Sequence, residues 1–84
     1  MERFFFHLHD RVRLLEDHEG INCATLDEAR VRAIATARDV MVGELQRGHL
    51  NLAWYILITD KHGNIAAHIP FREAVIVCGV PDSQ

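Results

Sequence analysis

The chain has 84 residues, 49% of them apolar and 25% charged, with a formal net charge of −3. That length fits one domain, spanning 1–84, and the apolar share excludes a disordered charged tail. No apolar run approaches the roughly 18–20 residues of a membrane span, and Met1-Glu2-Arg3 followed by Phe4-Phe5-Phe6 and then His7 lacks the pattern of a secretory signal.

A domain of this size buries only about 60–65% of its unfolded surface, so its core is marginal. Small domains make up the shortfall with disulfides, a metal or oligomerisation. Two cysteines, Cys23 and Cys78, are too few for a disulfide framework. In the cytoplasm, the compartment expected without a signal, they are thiols. Nine Lys+Arg against twelve Asp+Glu give no positive field for nucleic acid. Arg30, Arg32, Arg38 and Arg47 are interleaved with Asp27, Glu28, Asp39 and Glu44, the pattern of a solvated mixed-charge helix face.

In chain order, residues 3–9 come first and alternate as a strand. Phe4, Phe6 and Leu8 fall on one face; Phe5, His7 and His9 fall on the other. Asp10-Arg11 suits a tight turn. Residues 12–16 then form a second strand with Val12 and Leu14 inward and Leu15 outward, paired with the first as a hairpin. Residues 17–20 are a turn in which Gly20 takes a left-handed position.

Thr25 and Glu28 have the spacing of a capping box, in which Thr25 accepts from an early N–H and Glu28 reaches back to the Thr25 N–H. Leu26, Ala29, Ala33, Ala37, Val40 and Met41 recur at three and four, which predicts a helix over 26–47 left through Gly48. Small residues dominate the inner stripe and allow close approach to a sheet. Val31, Ala35 and Val42 lie further round and leave only a narrow polar sector.

Residues 53–59 are apolar on both faces and predict a central strand. A loop at 60–63 leads to a partner strand at 64–69, where Pro70 limits pairing. Phe71 to Ala74 suit one helical turn, Ala74 to Cys78 a short last strand, and 81–84 a frayed tail. The expected fold is α+β and two-layered: an antiparallel sheet of about four strands in the order β-β-α-β-β, with room for a short fifth, and one helix on one face.

Several of these residues recur together in a known pattern. Arg3-Phe4-Phe5-Phe6-His7-Leu8, Asp17-x-x-Gly20, Leu26-Asp27-Glu28-Ala29-Arg30, Thr59-Asp60-x-x-Gly63 and Ile69-Pro70-Phe71-Arg72-x-Ala74-Val75 follow one another along the chain. Their order and spacing resemble a family of short bacterial proteins known only as a domain of unknown function. The resemblance runs from about Arg3 to Val77, with Asp10-Arg11 standing where that family often has Asp-Gly. It implies a shared fold and a cytosolic bacterial setting, and it implies no activity.

Histidines are the chemically suggestive group. His7 and His9 project from one strand face, and His68 on the closing strand joins them if the strands are neighbours. Such a set would suit Zn²⁺ or another divalent metal, although none of the stronger metal-binding spacings is present. Nothing marks an enzyme: the one serine is Ser83 in the tail, and no Gly-rich phosphate loop is present. Catalytic residues and an obligate cofactor are therefore not expected. A single helix covers one sheet face, so Phe5, Leu15, Tyr55 and Leu57 are expected on the uncovered side. Val31 and Val42 form a second apolar surplus on the helix. Together they predict a homodimer, through the open sheet face or through strand addition at an edge, and with it a non-enzymatic binding or adaptor module; the alternative is a small metal- or ligand-binding protein using the His7/His9 face.

Overall fold

In a computed structural model of the chain, residues 1–10 and 12–79 are described. The expected frayed tail at 81–84, and Arg11 of the expected first turn, lie outside them. Five strands and one long helix follow in the order β1 (Glu2–His9), β2 (Leu14–Leu15), β3 (Ile21–Cys23), α1 (Leu26–Gln46), β4 (Tyr55–Thr59) and β5 (Ile65–Pro70), with a 3₁₀ turn at Phe71–Glu73. This is the expected α+β class. All pairings are antiparallel, and the order across the sheet is β2-β1-β4-β5, with β3 also on β1. No helix among the described residues is long and apolar enough to cross a membrane.

The fifth strand is not where the sequence suggested. Residues 76–78 form no strand, whereas Ile21, Asn22 and Cys23 pair with Phe4, Arg3 and Glu2. Three residues are too short a run for alternation to stand out. The second strand is also shorter than expected, and its facing is reversed. Leu15 lies across from Leu8 and Leu14 from His9, so Leu15 takes the helix side of the sheet and Leu14 the open side. Val12, expected inward, is exposed.

The core lies between the sheet and α1. Phe4, Ile56, Ile58, Ala67 and Ile69 on the sheet meet Ala29, Ala33, Ala37 and Met41 on the helix, with Cys23, Phe71 and Ala74 closing the ends. Spacing by four lines up the three alanines, each fully buried, and lets the backbone of α1 approach the large side chains of β4. The Trp54 and Phe71 rings meet edge to face at 5.9 Å at the end of this core. Strand β4 is central, as predicted, but α1 covers only one of its faces.

Thr25 caps the helix as expected, its Oγ1 accepting from the Glu28 N–H at 3.1 Å. The return bond differs: Glu28 Oε1 accepts from the Ala24 N–H at 2.9 Å, one residue earlier than in a standard capping box. The first bond satisfies a backbone donor that the first turn of a helix otherwise leaves open, and the second ties down the chain just ahead of the cap. The helix ends at Gln46 with Arg47 as its cap, and Gly48 leaves it at φ +83°.

Candidate functional site

Register places Phe5, His7 and His9 of β1, Tyr55, Leu57 and Thr59 of β4, and His68 of β5 on the sheet face that α1 leaves uncovered. Across the strands, His7 lies opposite Leu57, which lies opposite His68; His9 lies opposite Tyr55. Rings dominate this surface. His9 stacks on Tyr55 with centroids 4.6 Å apart, His68 tilts against the same Tyr55 at 4.4 Å, and Phe5 stacks on His7 at 6.5 Å. Phe5, Tyr55 and Leu57 are half-buried, and among the described strand positions of this face only Arg3, at the start of β1 and opposite Asn22, carries a formal charge.

The three candidate metal ligands thus share a face but do not converge. Leu57 stands between His7 and His68, and Tyr55 stands between His9 and His68. Among the described residues no group of three His, Cys, Asp or Glu side chains is placed to hold a metal ion. His7 is also engaged at both ring nitrogens. Its Nδ1 accepts from the Asp17 N–H at 3.1 Å, which leaves Nε2 to carry the proton and donate to Thr59 Oγ1 at 2.9 Å. A metal at either nitrogen would have to displace one of these bonds.

Asp17 is the centre of this arrangement. Phe6 turns its N–H to the outer edge of β1, between Phe4, paired with β3, and Leu8, paired with β2. Its cross-strand neighbour, Ile58, is on β4, and on that outer side no strand residue among the described residues lies opposite it. The Asp17 carboxylate takes that place, Oδ2 accepting from the Phe6 N–H at 3.1 Å. Oδ1 accepts from the N–H groups of Glu19 and Gly20, each at 3.1 Å, and so shapes the turn that delivers β3. Burial opposes the charge on Asp17, but hydrogen bonds from Gly20, Phe6 and Glu19 outweigh it and hold the carboxyl below its ordinary value of 3.8. The Arg3 guanidinium adds a bond to the Glu19 carbonyl.

Removal of the His7 ring separates a structural role from a metal role. His7→Ala leaves the Asp17 N–H and the buried Thr59 hydroxyl without partners, which is expected to cost about 1–3 kcal/mol. Thermal unfolding with and without a strong chelator is the check. The loss should appear in the variant, and the wild-type midpoint should not move with chelator. A wild-type midpoint that falls on chelation would return His7 to the ligands.

The predicted interface residues divide between separate surfaces. Phe5, Tyr55 and Leu57 share the open face. Leu15 sits on short β2 with its side chain 56% exposed, and Val31 and Val42 lie on the outer side of α1. One flat contact cannot bury all six. Sequence reasoning missed Thr59 as the partner of His7 and the Phe6 N–H as the group Asp17 serves. The pairing of Asp17 with Gly20 three residues on was the available signal.

Two surface depressions lie beside the loop between α1 and β4. One, of about 430 Å³, is lined by Glu44, Gly48, His49, Leu50, Asn51 and Trp54. The other, of about 480 Å³, adjoins it at Asn51 and runs to Pro70 and Arg72. Neither takes in a predicted site residue, and Glu44 of the first is ion-paired with Arg47.

Compared with known proteins, residues 3–72 match the model of a family described as a domain of unknown function, DUF6894. The matched span includes β1 from Arg3 onward, the other four strands, α1, Asp17 and the open face. No curated protein and no solved structure matches the chain.

Proposed function

The chain belongs to the family described as domain of unknown function DUF6894, and from that premise we propose that it is a non-enzymatic binding or adaptor module that works as a homodimer. Two copies meet through the open sheet face. The observation that carries this reading is the character of the middle of that face: Phe5, Tyr55 and Leu57 set among stacked histidines, with the one formally charged strand position, Arg3, at the end of β1. Exposed apolar surface of this kind marks an interaction site. Two copies pressed face to face bring no charge to the centre of the contact, since Arg3 stands at the end of β1 opposite Asn22, and aligned sheets pack about 10 Å apart, giving four layers with the helices outside. The polar groups best placed for chemistry are already engaged, His7 at both nitrogens and Asp17 by backbone donors. A cytosolic bacterial setting belongs to the same reading, in which the free Cys23 and Cys78 remain thiols.

Light scattering after size exclusion at low micromolar concentration tests it. Wild type should run as a dimer. Leu57→Lys places a charge at the middle of the face and should shift the dissociation constant by roughly a hundredfold or more, about 3 kcal/mol. Its far-ultraviolet circular dichroism should stay unchanged. A wild-type chain that is monomeric at tens of micromolar overturns the proposal.

A further inference from the structure

Two features of the chain are left without partners and suit each other. The first is the outer edge of β5, which among the described residues pairs with β4 alone. The Phe71 N–H donates to the Trp54 carbonyl at 2.8 Å. Counting back by alternation, Ile69 and Ala67 turn their peptide groups to β4, while Pro70 and His68 turn theirs outward. Pro70 therefore costs the β4 ladder nothing, since its missing N–H falls on the outer side. The His68 N–H and C=O and the Pro70 C=O remain on an edge that carries no charged side chain. Edge strands are normally blunted by charge or shortness, and β2 and β3, with two and three residues, are blunted that way. Strand β5 has six residues.

The second feature is segment 75–78. Val75, Ile76 and Val77 are three consecutive β-branched residues, the side chains best suited to a strand. Ile76 is 93% exposed and Val77 49% exposed, and 76–78 join no sheet. The start of the segment is fixed on the helix side of the molecule. Ala74 is buried, and the Arg38 Nε donates to its carbonyl at 2.7 Å. That bond ties the start of the segment to α1, and 76–78 pair with no strand of their own chain among the described residues.

We infer that segment 75–78 of one copy adds as a strand to the free β5 edge of a second copy. Among the described residues each chain has one long edge that lacks a strand and one strand-forming segment that lacks a sheet, so a two-fold pair satisfies both in each copy. Main-chain bonds to His68 and Pro70 supply the attachment, and Ile76 and Val77 leave water. The inference rests on the reading of the chain as self-associating and adds a second contact, through an edge and not through the open face, which links the open-face dimers into larger assemblies at higher concentration.

Amide hydrogen exchange on the full chain, read with light scattering across a concentration series, tests the strand addition. At 93% exposure, Ile76→Lys should leave the monomer fold intact. The expected result is that the His68 amide in wild type is protected with rising concentration. Ile76→Lys should lower that protection roughly tenfold or more and reduce the assembly. Leu57→Lys should leave His68 protected. An associated wild type whose His68 amide exchanges like a loop, with association untouched by Ile76→Lys, overturns the strand addition and leaves self-association through the open face standing. Monomer at every concentration overturns both.

Discussion

Asp17→Ala is expected to lower the stability of the fold by about 3 kcal/mol. The carboxylate accepts three backbone N–H groups, and bonds to a charged acceptor contribute roughly 1.5–3 kcal/mol each when buried. Asp17 is only partly buried, which puts each bond at or below the low end of that range. A domain of this length has roughly 4–13 kcal/mol in all, so the loss takes a quarter or more of it. The thermal midpoint should fall by about 12–24 °C. Urea unfolding of the variant beside wild type is the measurement, and a difference within 0.5 kcal/mol, the ordinary scatter of surface substitutions, would mean that the Phe6 N–H finds water at no cost. Asp17→Asn keeps one acceptor oxygen and should fall between the two. The pH dependence has a definite sign. The folded-state value of Asp17 lies below 3.8, so its contribution is complete above that pH and is lost as pH falls through the lower, folded value. Asp10 and Asp60 are held down in the same direction, each by backbone N–H donors. Acid unfolding should therefore set in below about pH 4, and Asp17→Asn should flatten that limb.

Most of the fold was legible because its longer elements carry strong periodicities. The alternation of Phe4, Phe6 and Leu8 against Phe5, His7 and His9 is the alternation of β1 in the sheet. The alanines at 29, 33 and 37 are the buried stripe of α1. What failed was short. Strand β2 is two residues long, and with one apolar leucine facing each way its parity is set by pairing to Leu8 and His9, not by its own pattern. Strand β3 is placed by the turn that Asp17 shapes, so its cause lies outside its own residues. Residues 74–78 show the reverse error: three β-branched residues in a row have the propensity of a strand, but the Arg38 bond to the Ala74 carbonyl ties their start to α1, and 76–78 join no sheet. At the candidate site, the alternation of β1 put His7 and His9 on one face, while His68 was to join them only if its strand neighboured theirs, and β4 lies between the two. The sequence could not show that Leu57 and Tyr55 separate them, because that depends on β4 lying between β1 and β5. Nor could it show that His7 is spent on Asp17 and Thr59, residues 10 and 52 positions away.

The second large effect is expected at Gly20, and a comparison of glycines isolates its cause. Gly20 and Gly63 both have positive φ, +73° and +84°. Alanine at Gly63 meets nothing within 4 Å, so Gly63→Ala should cost only the left-handed conformation, about 1–2 kcal/mol. A Cβ at Gly20 would lie 2.9 Å from the Phe4 carbonyl oxygen, 2.9 Å from Arg3 Cγ and 3.0 Å from Phe5 Cε2. The Arg3 and Phe5 side chains can move aside. The Phe4 carbonyl cannot, because Phe4 is paired with Ile21 in the β1–β3 ladder. Relief would require β3 to retreat from β1, and with it the Gly20 N–H from Asp17. Overpacking of this kind adds about 1–3 kcal/mol, so Gly20→Ala should cost roughly 2–5 kcal/mol in total, well above Gly63→Ala in the same urea titration. Equal losses at the two positions would show that backbone conformation alone sets the requirement. A larger loss at Gly20 that disappears in the Asp17→Ala background would show that the close approach to β1 matters only while the carboxylate holds the turn against the strand.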